Sequence, residues 1–269
     1  MPFNESKNKD NLVVIENIQD FYTAILEYYD ELFPIDENTV PFLLQLQKTQ
    51  KLFSEALHSP MCRYLGIGCA TGNLENRLAG QGLDVTGIDR NPSMIETAKR
   101  RMKRGFSTVR FFEMSAIDIR RFLKKGSFHI IGCLGNVLPY ICDETLLRKF
   151  FYDTRELLVP GGNLVIQTRN YDGLITEKPV RLEDKKSVRV TLSRGYNPAE
   201  GNRVCLDATL EQGNGKKLVL QRSTEIIPIT VDKVEAFAKE AGFQSISVFG
   251  DFSRAPWTTT SPSSLIVVG

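Results

Sequence analysis

Histidine and patterned cysteine are scarce in this sequence. There are only two histidines, His58 and His129, and none of the five cysteines belongs to a CxxC pair or to a cysteine–histidine cluster. An odd number of scattered cysteines is typical of reduced thiols in the cytosol, and zinc sites need clustered ligands. We therefore expect a cytoplasmic protein without a resident metal ion.

The chain also lacks a long hydrophobic run and an excess of either charge. No stretch of about 18 apolar residues occurs, and the polar first residues contain no apolar export segment. The 34 basic residues nearly balance the 32 acidic ones, so the formal net charge is only +2. Because this balance gives no broad attraction to phosphate backbones, we expect neither a nucleic acid nor a membrane as a partner.

Short apolar segments alternate with helical patterns through the middle of the chain. Strands are predicted over residues 62–68, 83–89, 108–114, 128–136 and 162–170, with helices beginning near Leu74, Pro92, Asp118 and Asp143. This alternation predicts an α/β fold with a Rossmann-like, mostly parallel sheet and helices on both faces. Two apolar runs near the end bring the expected number of strands to seven, with the last antiparallel beside the fifth.

The beginning of the chain has a helical pattern. Residues 15–33 carry apolar side chains at helical spacing up to Pro34, which is expected to end the helix. A second helix is predicted over residues 39–57. Together these segments define an N-terminal helical region, residues 1–57, which we expect to act as a lid.

The alternation of strands and helices ends after the fifth predicted strand. Residues 173–226 alternate apolar and polar side chains between turn sequences, which predicts an antiparallel β insertion of about three strands. The main domain then comprises residues 58–172 and 227–269. Its last helix has Thr230 as the predicted N-cap and Gly242 at its end.

A glycine-rich turn lies between the first strand and helix of the main domain, in the sequence "MCRYLGIGCATGNLENRL". Glycine lets a ligand approach the backbone, and the helix that follows offers free N–H groups. A tight turn without a ligand is the alternative. The dinucleotide pattern G-x-G-x-x-G is not matched: from Gly66 its third position is Thr71, and from Gly68 the next glycine is Gly72.

An acidic residue ends the second predicted strand. Asp89 lies 21 residues beyond Gly68, and a carboxylate at that place can accept hydrogen bonds from both hydroxyls of an adenosine ribose. The alternative is a helix N-cap, because Asp89 or Asn91 would precede the helix that begins at Pro92.

These stretches resemble the class I S-adenosylmethionine-dependent methyltransferases, in which motif I is often written D-x-G-x-G-x-G. In this sequence Gly66 replaces the acid, which the family often uses near the methionine end of the cofactor, and Ala70 replaces the middle glycine. The resemblance implies S-adenosylmethionine as cofactor. The residues that it implies around the cofactor are Tyr29, Gly66, Gly68, Cys69, Ala70, Gly72, Asp89, Arg90, Met94, Ser115, Ala116, Cys133 and Leu134.

Two of these assignments have local alternatives. Ser115 and Ala116 stand where the family often has Asp-Ala facing the adenine, and a serine hydroxyl can bond an adenine edge. Ser115 could instead cap a helix. The segment "YYDELFP" resembles a lid helix of the family, which would place Tyr29 over the sulfonium. The alternative is a tyrosine in the core or at the rim of an amphipathic helix.

The fourth and fifth strands end in "CLGN" and "RNYD", which resemble the glycine/sarcosine N-methyltransferase group of small-molecule methyltransferases. The resemblance implies that Asn136 and Arg169 hold the amine and carboxylate of a small acceptor. Tyr140 stands where that group has a histidine, so the acceptor itself is in question. The alternatives are that Asn136 caps a turn and that Arg169 faces solvent or pairs with a local acid such as Asp172 or Glu177.

We therefore expect an enzyme that transfers a methyl group from S-adenosylmethionine to a small molecule, by N-methylation of an amine- and carboxylate-bearing acceptor. No histidine falls at a predicted strand end, so no dedicated strong base is expected. One alternative is a non-catalytic S-adenosylmethionine-binding protein, because motif I lacks its acid. Another is a nicotinamide-dependent oxidoreductase, which the glycine spacing and the lack of a Tyr-x-x-x-Lys pair disfavour.

Overall fold

The computed structural model describes residues 12–46, 61–102, 108–173, 178–201, 203–220 and 224–269. The chain divides into two compact units. The small unit joins Met1–Pro34 to Thr176–Ile226, and the large unit joins Ile35–Ile175 to Ile227–Gly269. The first residues of the chain thus belong with the segment that we predicted to be an insertion.

Strands and helices are numbered along the chain. The strands are β1 Leu12–Ile15, β2 Arg63–Ile67, β3 Asp84–Asp89, β4 Val109–Glu113, β5 Phe128–Cys133, β6 Leu158–Arg169, β7 Val180–Arg181, β8 Lys185–Lys186, β9 Val190–Pro198, β10 Val204–Gln212, β11 Lys217–Leu220, β12 Thr224–Ile226, β13 Ile246–Phe249 and β14 Ser263–Val268. The helices are α1 Ile18–Ala24, α2 Tyr29–Leu32, α3, which begins at residue 39 and is described as far as residue 46, α4 Asn73–Gly80, α5 Pro92–Arg100, α6 Ile119–Phe122, α7 Glu144–Leu157 and α8 Val231–Glu240. Two short 3₁₀ helices cover Leu26–Tyr28 and Leu138–Tyr140.

The large unit contains a seven-stranded sheet in the order β13-β14-β6-β5-β2-β3-β4. The five strands from β6 to β4 are parallel to their neighbours, whereas β14 runs antiparallel to both β6 and β13. This confirms the predicted Rossmann-like sheet, including the antiparallel last strand beside the fifth predicted strand. The strand β2 enters the sheet first and lies between β3 and β5, so the direction of winding reverses next to β2.

The sheet of the large unit is covered on both faces. All six residues of β5 are buried, as expected for a central strand in a two-sided parallel sheet. On one face α7 buries Leu147, Phe150 and Phe151. The other face contains a second cluster, which includes Leu78 of α4 and residues of β2, β3 and β4. Burial on both faces explains why these strands are continuous apolar runs.

Helix starts in the large unit follow local capping. Helices α4 to α7 begin within one residue of the predicted positions, and Asp143 caps α7 by accepting from the Leu146 N–H at 2.8 Å. Thr230 caps α8 by accepting from the Lys233 N–H at 3.3 Å. Gly242 follows the end of α8 with φ 88°, a conformation that glycine adopts without cost. The predicted caps of the last helix are therefore confirmed.

The single helix predicted over residues 15–33 is wrong. The chain instead forms β1, which pairs in parallel with β11, and then α1, a 3₁₀ turn and α2. Asn17 starts α1 because its side chain accepts from the Asp20 N–H at 3.0 Å. Helix α3 begins where it was predicted, and residues 47–60 lie outside the described part of the chain. The helical pattern is therefore realised over most of residues 18–32, but in three short pieces that break at Ile25 instead of one helix.

The small unit is built around antiparallel strands. Its sheet has the order β1-β11-β10-β9-β7, with β12 paired to β10 and β8 paired to β9. The longest pairing joins β9 and β10 along nine residue pairs. The antiparallel strands are as predicted, but β7, β8 and β12 add three further strands of two or three residues each.

Two further observations bear on the functional site. Among the described residues, no group of three or more histidine, cysteine or acidic side chains could hold a metal ion. In the same residues, no helix combines the length and the apolar character needed to cross a membrane.

Candidate active site

The loops that follow β2 and β5 meet at the carboxyl edge of the large sheet. A Cβ atom built on Gly68 would collide with the Val137 side chain, so the two loops approach each other closely. In open parallel sheets, ligands bind at this edge beside the strand where the winding reverses. The crevice between the ends of β2 and β5 is therefore the candidate site.

Residues 68–72 form a loop with three left-handed positions. The φ angles are 74° at Gly68, 46° at Ala70 and 70° at Gly72. At Gly72 an added Cβ would also lie 2.6 Å from the Phe111 ring and 2.8 Å from Ala98 Cβ. Conformation and space therefore both require glycine at the two ends of the loop, with or without a ligand.

Ala70 is expected to be a strained position. A non-glycine residue in the left-handed region costs roughly 1–2 kcal/mol, which glycine would recover. The greater freedom of glycine in the unfolded chain offsets part of this recovered stability. Ala70→Gly should therefore leave the free energy of unfolding unchanged or raise it by up to about 1 kcal/mol. Gly68→Ala should lower it by about 2 kcal/mol or more, since it adds a collision with Val137 to the strain. Urea unfolding of both variants tests this contrast, and an equal loss in both would contradict it.

Asp89 ends β3 and holds the glycine loop. Its Oδ2 accepts from the Ala70 N–H at 2.9 Å, and its Oδ1 accepts from the Asn91 N–H at 2.8 Å. Burial raises the pKa of this carboxyl, and the N–H groups of Asn91, Ala70 and Arg90 lower it. A carboxylate has about four acceptor positions, so Asp89 keeps acceptor capacity for a ligand hydroxyl.

The helix cap beside Asp89 is a different residue. Asn91 caps α5, since its Oδ1 accepts from the Ser93 and Met94 N–H groups at 3.0 and 3.2 Å. The side chain of Met94 is buried, and Arg90 is exposed. Of the two capping possibilities raised by the sequence, the structure has Asn91. Asp89 is left with its remaining acceptor capacity at the edge of the crevice.

Ser115 and Ala116 follow β4 at the same edge of the sheet. The Ser115 hydroxyl oxygen lies 3.5 Å from the Ile117 N–H, within a turn. Helix α6 begins three residues beyond this pair, and its N-cap position is Asp118. The alternative role of Ser115 as a helix N-cap is therefore wrong. Both residues are half-buried.

The turn after β5 is bound to the end of β6. The Asn136 Oδ1 accepts from the Arg169 N–H at 3.0 Å, and its Nδ2 lies 3.0 Å from the Tyr171 hydroxyl. Gly135 donates its N–H to the Gln167 Oε1 at 2.9 Å. Asn136 itself has φ 69°. The structure thus brings Asn136 and Arg169 together, with Tyr171 as a buried third member that the sequence analysis did not single out.

Arg169 is a half-buried residue, and its guanidinium has no hydrogen bond or ion pair with any described residue. Asp172, one of the acids named as its possible partner, instead accepts from the Val231 N–H at 3.1 Å. The other, Glu177, lies outside the described residues. The guanidinium N–H groups of Arg169 can thus donate hydrogen bonds to a ligand at the end of β6.

The remaining predicted residues lie at different places. Cys133 is the buried last residue of β5, Leu134 is half-buried at the start of the turn, and Tyr140 is half-buried in the second 3₁₀ helix. Tyr29 belongs to the small unit, where its ring centre is 6.2 Å from that of Tyr22 and 4.9 Å from that of Phe33. The role of Tyr29 over the cofactor stays a prediction.

A buried acid in the large unit was missed by the sequence analysis. Glu75, in the first turn of α4, is only 3% exposed, and burial raises its pKa to about 8. Its Oε2 has no hydrogen-bond partner among the described residues. The available signal was positional: Glu75 occupies the helix face that buries Leu78 and Ala79, where an acid breaks the amphipathic pattern.

Comparison with known proteins shows similarity to methyltransferases. Residues 65–162 match a family model described as a methyltransferase domain. A putative methyltransferase of a Geobacillus species is 28% identical over 246 residues, which are 89% of this chain and 96% of that protein. The glycine/sarcosine N-methyltransferase of Parasynechococcus marenigrum is 26% identical over 190 residues, which are 71% of this chain and 66% of that protein.

The fold comparison shows a similar architecture. An S-adenosylmethionine-dependent methyltransferase from Clostridium acetobutylicum superimposes with a TM-score of 0.72 at 17% identity, covering 92% of this chain and 98% of that one. The chain is a class I S-adenosylmethionine-dependent methyltransferase. Its cofactor is S-adenosylmethionine, and the residues of the crevice fit that group, because Asp89 has spare acceptor capacity at the strand end.

Proposed function

We propose that this enzyme methylates the nitrogen of a small acceptor that carries both an amine and a carboxylate. The observation that carries the proposal is Arg169, a half-buried residue at the end of β6 whose guanidinium has no ion-pair partner among the described residues. A guanidinium fork matches a carboxylate bidentately, and Asp172, the acid in the described chain closest to it in sequence, is bound to Val231 instead. The distant glycine/sarcosine N-methyltransferase relative supports an acceptor of this class.

We propose that Asn136 positions Arg169 and orients the amine. The amide oxygen of Asn136 already accepts from the backbone of Arg169, which fixes the end of β6 against the turn after β5. The Tyr171 hydroxyl donates to the same oxygen at 3.1 Å, so the second Nδ2 hydrogen is the group that is left for the acceptor. It can donate to the acceptor beside Arg169, with Tyr140 as a further orienting group on the same turn.

The cofactor is proposed to lie against the glycine loop, with Asp89 at its ribose and Ser115 and Ala116 at its adenine. Arg90 and Met94 would flank the adenosine on one side, and Cys133 and Leu134 would line the crevice on the other. When bound, S-adenosylmethionine supplies an activated methyl group. The protein then has to align a neutral amine and exclude water, which requires little acid–base chemistry.

Turnover of a panel of acceptors tests the proposal. Amino acids and N-methyl amino acids should be methylated, whereas matched amines without a carboxylate should react far more slowly. Methylation of the uncharged amines alone would refute the proposal that the acceptor carries a carboxylate. Cofactor binding without turnover of any acceptor would favour the alternative, a non-catalytic S-adenosylmethionine-binding protein.

A further inference from the structure

We propose that Glu75, on helix α4, supplies the carboxylate that binds the α-ammonium group of S-adenosylmethionine. In this chain an acid on the helix would thus replace the strand-end acid that motif I lacks at Gly66. The inference concerns the cofactor only and does not depend on the identity of the acceptor.

The first support is the relation between Gly66 and Glu75. A Cβ atom built on Gly66 would collide with the Glu75 Oε1 and would lie 3.1 Å from its Cδ. The φ of Gly66 is not in the left-handed region, so conformation does not require glycine there. The glycine is needed because the carboxyl of Glu75 fills the space that a side chain at position 66 would occupy.

The second support is the missing partner of Glu75. The Oε2 atom is buried and makes no hydrogen bond with a described residue, and the part of the chain that the structure describes gives Glu75 no ion pair. The titratable groups that act on it electrostatically are the Tyr64 hydroxyl, the Cys69 thiol and the Asp89 carboxylate, none of which is a cation. The backbone N–H of Glu75 lowers the pKa of its own carboxyl, but the Oε2 atom stays without a donor. An unpaired buried oxygen is costly, so a cationic donor from a ligand would stabilise it.

The chemistry of the cofactor selects its ammonium group. S-adenosylmethionine carries two cations, a sulfonium and an ammonium. The unpartnered oxygen needs a hydrogen-bond donor, and an ammonium offers three N–H groups, whereas a sulfonium has no N–H or O–H. Glu75 is also near the loop that the cofactor would contact, because it acts electrostatically on both Cys69 and Asp89.

The binding of a cation should release a proton from Glu75. Because burial raises the pKa of Glu75 to about 8, the free enzyme holds this carboxyl mostly protonated at pH 7. An adjacent ammonium favours the ionised carboxylate, so the proton leaves to solvent when the cofactor binds. Cofactor affinity should therefore rise between pH 6.5 and pH 8.5, which calorimetry in buffers of different ionisation enthalpy detects as proton release.

Glu75→Gln is the direct test, since it keeps the size of the side chain and removes its charge. By calorimetry at pH 8.5, S-adenosylhomocysteine should bind at least tenfold more weakly to the variant than to the unchanged enzyme. Binding of 5′-methylthioadenosine, which lacks the amino acid part, should change less than about threefold. Equal losses for both ligands, or no loss for either, would overturn the inference. Failure of the unchanged enzyme to bind S-adenosylhomocysteine would instead contradict the cofactor site itself.

A charge swap provides the matched control. Gly66→Asp combined with Glu75→Ala moves the acid from the helix to the strand and removes the collision. This double variant should regain most of the S-adenosylhomocysteine affinity that Glu75→Ala loses. Gly66→Asp alone should melt at a lower temperature, because its Cβ collides with the Glu75 carboxyl. If the folded double variant does not recover affinity, Glu75 does not take over the role of the acid that is missing at position 66.

The free enzyme gives a second readout, which needs no ligand. The pKa of Glu75 is raised in the folded state above its ordinary value, so the folded protein binds an extra proton between about pH 4.5 and pH 8. The contribution of this group to stability is present below that range and is lost as the pH rises through 8. The melting temperature of Glu75→Gln should match that of the unchanged enzyme near pH 5 and exceed it by roughly 4 °C or more at pH 9. A difference that does not vary with pH would contradict the buried, uncompensated acid.

Discussion

Asp89→Ala should weaken the binding of S-adenosylmethionine by roughly 30- to 1,000-fold, or about 2–4 kcal/mol. The variant loses the proposed acceptor for two ribose hydroxyls. It also loses the bond from the Ala70 N–H, which holds the glycine loop at 2.9 Å from the carboxylate. Calorimetry with S-adenosylmethionine measures the loss, and unchanged binding would refute the ribose assignment.

The same strand offers a matched control for Asp89. Asp84 lies at the other end of β3, where its carboxylate pairs with Arg110. Asp84→Ala should leave cofactor affinity within about twofold, because a half-exposed ion pair contributes little and lies away from the carboxyl edge. A cofactor analogue without the 2′-hydroxyl separates the two effects of Asp89→Ala. It should bind the unchanged enzyme more weakly, yet lose less on the substitution than the natural cofactor does.

Arg169→Lys should lower kcat/KM for a carboxylate-bearing acceptor by about tenfold or more, with cofactor affinity within about twofold. Lysine keeps the charge but cannot form two parallel N–H bonds to one carboxylate, so the acceptor loses its orientation. The change should appear mainly in KM if the carboxylate is bound equally in the ground and transition states. Steady-state kinetics measures kcat and KM for the acceptor, and calorimetry on the same preparation measures cofactor affinity.

Arg148→Lys is the control for Arg169. Arg148 is an exposed arginine of the large unit that pairs with Glu240, and its replacement should leave kcat/KM unchanged. If Arg169 only braces the loop after β6, the lysine variant should instead melt at a lower temperature and bind cofactor and acceptor more weakly together. That pattern would contradict its proposed role in acceptor binding.

The large sheet was predictable because its strands are buried on both faces. Continuous apolar runs such as Phe128–Cys133 can be recognised in the sequence as buried strands. Capping residues such as Asp143 and Thr230 indicate where helices begin. The beginning of the chain was not predictable in this way. Strand β1 lies just before the predicted helix, and its pairing joins Leu12 to Lys217, which a local spacing of apolar residues cannot reveal.

The candidate site was predictable in its elements but not in its contacts. The glycine loop, Asp89, Asn136 and Arg169 all follow from their positions at strand ends. Nothing in the sequence decides whether Asp89 or Asn91 caps α5, since both side chains are suitable, and only the hydrogen bonds assign the cap to Asn91. The proximity of Glu75 to Gly66 likewise depends on how α4 packs over β2.

The pairing of β1 with β11 sets the order in which this protein can be completed on the ribosome. Leu12 lies opposite Lys217, so the first strand emerges roughly 200 residues before its neighbour exists. Five parallel strands of the large sheet have been synthesised by then, whereas β1 must wait with an unpaired edge that invites other strands. Because non-local pairings form more slowly than local ones, we expect the sheet of the small unit to be completed after the parallel strands of the large sheet.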